Sequence, residues 1–73
     1  MKTTILTKTW NESHAACYGA PAGTDVCHVE FTHHTFNGRV YQTETAYRNG
    51  IVTQSAEYPA DKPYAAKRLE QFA

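Results

Sequence analysis

The sequence predicts an α+β domain: a three- to four-stranded antiparallel β-meander with a C-terminal helix packed on one face. Two features carry this. Asn37-Gly38 and Asn49-Gly50 cut the stretch from Val26 to Tyr58 into three evenly spaced β-rich runs. Asn-Gly between such runs signals a hairpin, because both residues tolerate the positive φ of a tight turn. After Pro59 the period changes, and Ala65, Leu69 and Phe72 recur at helical spacing. One domain with one thin core is all that 73 residues allow.

Thr3 to Trp10 is rich in β-branched residues and alternates. Leu6, Lys8 and Trp10 share one face, and Ile5, Thr7 and Thr9 the other. Asn11 to Tyr18 admits a short N-terminal helix, since Asn11 and Ser13 are good N-caps and Ala15-Ala16 favours helix. Gly19 to Asp25 holds two glycines and a proline and reads as a surface loop.

Val26 to Phe36 is the first long strand. Cys27, Val29, Phe31 and His33 point to the core, and His28, Glu30, Thr32 and His34 to solvent. Arg39 to Arg48 and Ile51 to Tyr58 follow. A two-residue turn at Asn49-Gly50 sets Tyr47 opposite Val52 and Tyr41 opposite Tyr58. A bulge at Gly38 would set Phe31 opposite Thr43 and Cys27 opposite Tyr47, keeping the apolar faces together. The last segment, Pro59 to Ala73, is the helix. Asp61 is the expected N-cap, Pro63 sits in the first turn, and Leu69 and Phe72 belong to the core.

Composition narrows the function classes. Seven basic residues balance seven acidic ones, whereas a strong nucleic-acid binder carries a basic excess for phosphate neutralisation. No apolar run approaches the ~20 residues of a membrane span. The opening Met1-Lys2-Thr3-Thr4-Ile5-Leu6 lacks the apolar length of a secretory signal, so a cytoplasmic location is expected. Two cysteines are too few for a disulfide scaffold.

Chemistry-bearing constellations are sparse. His14, Cys17, Cys27 and His33 are of the types zinc takes, and a small zinc-stabilised domain is one alternative. Their spacing is irregular, and Cys27 and His28 point to opposite faces of a strand, so no metal site is assigned. A Cys/His nucleophile pair lacks an orienting group and an oxyanion motif beside Cys17, so no catalytic residue and no cofactor are assigned either.

Ala65-Ala66-Lys67-Arg68-Leu69-Glu70 resembles the final helix of double-stranded-RNA-binding domains. With a helix over Asn11–Tyr18, the order helix–strand–strand–strand–helix would match that family as well. The resemblance implies nucleic-acid binding. The family's lysine cluster at the start of that helix is replaced here by Ala60-Asp61-Lys62-Pro63.

The leading expectation is a non-enzymatic protein-binding module. One sheet face is left uncovered, showing His28, Glu30, Thr32, His34, Gln42, Glu44 and Thr53, with Trp10, Tyr18, Phe36 and Val40 at its margins. Aromatic anchors within a polar rim are the anatomy of an interface. Trp10, Glu30, Phe36, Arg39 and Arg48 are the contact candidates. Unpaired strand edges offer β-augmentation or a homodimer as a second route. In size and composition the chain is similar to phage and mobile-element inhibitors such as anti-CRISPR proteins. That similarity implies an accessory or inhibitory protein that occludes a working surface of a larger partner.

Overall fold

The computed structural model describes residues 2–73. Four strands, β1 (Lys2–His14), β2 (Gly23–Phe36), β3 (Arg39–Arg48) and β4 (Ile51–Pro59), precede one helix, α1 (Pro63–Phe72). The strands form a single antiparallel sheet in the order β1-β2-β3-β4. The predicted meander and C-terminal helix are both present.

The short N-terminal helix does not form. Asn11 to His14 continue β1, and Cys17 pairs with Ala20 across a tight turn. This segment is too short to be helical without packing, and every residue from Asn11 to Thr24 is exposed. Pairing with β2 satisfies its backbone instead. The element order is therefore ββββα, without the first helix that a double-stranded-RNA-binding topology requires.

The register also departs from expectation. Asn37 and Gly38 take φ of 51° and 75°, as a strict two-residue type I′ turn demands. No bulge intervenes, so Phe31 lies opposite Glu44, and Cys27 opposite Arg48. The extra residue falls in the next hairpin instead. Asn49-Gly50 does set Tyr47 opposite Val52, but the register slips at Thr53, and Tyr58 ends opposite Gln42 rather than Tyr41. A second irregularity lies at Ile5 in β1.

As a result β3 presents Gln42, Glu44, Ala46 and Arg48 to the helix side. Tyr41, Thr43, Thr45 and Tyr47 lie on the open side with His28, Glu30, Thr32 and His34. Gln42 and Glu44 are thus removed from the expected open face, and both are buried. The open and closed sides of β2 are as predicted: His33 bonds Gln42 beneath the helix, while His34 stacks on Tyr41 outside.

The core is thin: Cys27, Val29 and Phe31 from β2, and Ala65 from α1. Ala65 is the buried position of the helix, while Leu69 and Phe72 are half-buried. Phe72 spans from Phe31 to Trp10, with ring centroids 5.6 and 6.0 Å away. The helix begins later than expected. Lys62 is its N-cap, without a side-chain cap bond, and Pro63 fixes the first turn. Asp61 reaches Arg39 instead, at 3.7 Å.

A polar chain completes the helix–sheet contact. Gln42 is 1% exposed, and each of its polar atoms is used. Its Oε1 lies 2.9 Å from His33 Nε2. Its amide donates to Tyr58 Oη at 3.1 Å and to the Ala65 carbonyl at 3.0 Å. Since the amide nitrogen donates elsewhere, His33 must donate through Nε2. Tyr58 in turn donates to Glu44 at 2.8 Å, and Arg68 grips both Glu44 oxygens at 2.7 and 2.9 Å. A bidentate guanidinium–carboxylate pair of this kind fixes orientation as well as distance.

The molecule is elongated, 52 × 20 × 17 Å. The length comes from β1 and β2, which run on past the end of β3 as a two-stranded finger.

Candidate functional site

The finger comprises residues 13–24. Ser13 pairs with Thr24 and His14 with Gly23, and the tip closes through Cys17 and Ala20, whose backbones bond each other at 2.9 and 3.3 Å. At ~3.4 Å per residue it reaches about 20 Å beyond the third strand. No charged side chain occurs from Ala15 to Thr24, and most residues there are small.

The tip turn is Tyr18-Gly19. Its φ values, 50° and 82°, match those of Asn37-Gly38 and Asn49-Gly50. The other two turns place asparagine at the first position, where its short polar side chain tolerates left-handed backbone. The finger places tyrosine there. For a bulky residue this conformation is an outlier that costs on the order of 1 kcal/mol. Nothing in the fold offsets the cost, because the Tyr18 side chain is fully exposed.

The base of the finger is held firmly. Arg48, at the end of β3, donates to Asp25 at 2.8 Å and to Glu12 at 2.9 Å, one carboxylate from each arm. Asn49 adds its amide to Asp25 at 2.9 Å, and its side-chain oxygen accepts from the Val26 backbone at 2.9 Å. Trp10 Nε1 donates to Glu12 at 3.2 Å. These bonds hold both carboxyls below the usual carboxylate range. For Glu12 the Trp10 bond is the largest cause and Arg48 the next; for Asp25, Asn49 leads and Arg48 follows. The finger is therefore clamped at its base by charged groups, carries no charge beyond His14, and ends in one strained aromatic.

The five contact candidates fall in three places. Trp10 lies on the helix side against Phe72. Glu30 lies on the open face and accepts from Thr4 at 3.4 Å. Phe36 and Arg39 face each other across the β2–β3 hairpin, and Trp10 and Arg48 share Glu12 as a hydrogen-bond partner. Arg48 is engaged in the clamp. Tyr18 stands apart from all of them. Its signal in the sequence was Tyr-Gly occupying a two-residue turn, which an Asn-Gly search passes over.

The candidate zinc ligands are split between regions. Cys27 is buried in the core, and Cys17 is exposed at the tip. No group of three or more His, Cys, Asp or Glu side chains that could hold a metal ion occurs among the described residues. No helix among them is long and apolar enough to cross a membrane.

Comparisons with protein families, with curated proteins and with solved structures returned no match.

Proposed function

We propose that the protein is a non-enzymatic binding module that docks on a larger protein by inserting the β1–β2 finger, with Tyr18 leading. The observation that carries the reading is the strained backbone of a fully exposed tyrosine. Strain without a structural return marks a residue kept for what it touches elsewhere. Tyrosine is also a favoured interface anchor, large and apolar with one polar tip.

The rest of the finger suits the same role. Small side chains make it slim enough for a narrow cleft, and the Arg48 clamp fixes it before docking, which lowers the entropy lost on binding. Occupying a cleft in this way blocks whatever else uses it, so the protein acts as an inhibitor or accessory factor of the anti-CRISPR kind by steric occlusion. Neutral overall charge and an uncharged tip argue against a nucleic-acid partner.

The test is affinity capture from source-cell lysate, with and without nuclease, using the wild type and Tyr18→Asn. Asparagine relieves the turn and removes the anchor. A single protein retained by the wild type in both halves, and lost by Tyr18→Asn, supports the proposal. Nucleic acid retained in the untreated half alone would reject it.

A further inference from the structure

We propose that the outer edge of β1 pairs with the same edge of a second copy, antiparallel, about a two-fold axis at Thr9. The edge is open along its length, and its irregularity at Ile5 leaves Leu6 to Glu12 as a straight run. An open, regular edge is a template for another strand.

The sequence of this run complements itself. With Thr9 opposite Thr9 of the second copy, Lys8 meets Trp10, Thr7 meets Asn11 and Leu6 meets Glu12. Lys8, Trp10 and Glu12 all lie on the helix side, so each Lys8 falls opposite the second copy's indole, with that copy's Glu12, already bonded to Arg48, on one diagonal and its Lys8 on the other. Diagonal neighbours on one sheet face lie ~7–8 Å apart, within reach of a lysine. The indole face suits a cation, and Lys8 has no ion-pair partner among the described residues. On the open side the pairing is polar, Thr9 on Thr9 and Thr7 on Asn11.

The same edge carries a shallow groove of about 300 Å³, lined by Lys8, Trp10, Gln71 and Phe72. The two-fold axis brings the two grooves together, so that the indoles and Phe72 rings close over one another. The β4 edge offers no equivalent. Thr53 interrupts its pairing register, Pro59 ends it, and its one charged residue is Glu57. In the dimer the two fingers point in opposite directions, their tips separated by about 60 Å at ~3.4 Å per residue.

The test combines association with register. Sedimentation equilibrium over the micromolar to millimolar range should show a monomer–dimer equilibrium. Lys8→Glu, at an exposed position, should weaken it about tenfold, since each copy contributes one lost attraction. In a Cys17→Ser background, Thr9→Cys should cross-link rapidly under mild oxidation, because the self-paired position brings like Cβ atoms within disulfide range. Thr7→Cys in the same background should not. A monomer at every concentration, or equal cross-linking from positions 7 and 9, would overturn the proposal. Circular dichroism of each variant confirms that it is folded.

Discussion

Beneath the helix, Cys27, Val29 and Phe31 are buried and every polar atom of Gln42 is satisfied. At the finger, no residue from Asn11 to Thr24 is buried at all. The first region is held by apolar burial and a connected polar chain. The second is held by a backbone ladder and by a charged clamp at its base. Burial holds the helix to the sheet, whereas the clamp ties the base of the finger to the end of β3. On the proposed reading, stability and binding lie in different parts of one small chain, so changes in one should leave the other measurable.

The largest effect should come from the core. Phe31 is 0% exposed, and Phe31→Ala should cost about 3–5 kcal/mol. A core this size supplies about the same amount, so the variant should be largely unfolded at 25 °C by circular dichroism. Next is the clamp on Glu44. Arg68→Gln leaves that carboxylate, 11% exposed, with Tyr58 as its remaining partner. It should cost about 2–3 kcal/mol by urea denaturation, somewhat less than breaking a fully buried pair.

The same pair sets an acid response. Arg68 bonding holds the Glu44 carboxyl below its ordinary 4.5, outweighing the opposing effect of burial. The stability it contributes is therefore present above the unfolded value and lost as pH falls through the lowered folded one. Thermal midpoints should drop as pH falls below 4.5, and in Arg68→Gln, which removes the main cause of the lowering, that drop should shrink. At the alkaline end Tyr58 is pushed up to about 12, chiefly by burial. Its contribution is complete below its ordinary 10.0 and declines as pH rises towards 12.

The smallest effects belong to the finger. Arg48→Gln should barely move the global midpoint, yet it should speed amide exchange across residues 13–24 and leave β3 protected. If the midpoint fell as far as in Arg68→Gln, the separation of the two regions would fail.

Much of the fold is legible in the sequence because the signals are local. The Asn-Gly turns, the alternation of β2 and the helical stripe each need only neighbouring residues. What was not legible depends on distant ones. Matching apolar faces favours a bulge at Gly38 that would place Thr43 against Phe31. The strict turn places Glu44 there, acceptable only because Arg68, 24 residues on, reaches back to it. The helix-like Asn11–Tyr18 became strand and turn because β2 was available to pair with it. Tyr18, expected at the margin of the open face, stands instead at the finger tip, where its positive φ is visible only once the turn is placed. Residue type alone points to Trp10 and Arg48 as contacts, and the structure gives each an internal partner.

The central question is whether Tyr18 serves a partner rather than the fold. The most direct measurement compares wild type and Tyr18→Asn by urea denaturation and by capture from nuclease-treated source lysate. The account predicts that Tyr18→Asn is more stable by about 0.5–1 kcal/mol, from relief of the left-handed strain, and that it no longer retains the partner. A variant that is less stable than wild type, or one that captures the same protein equally well, would contradict it.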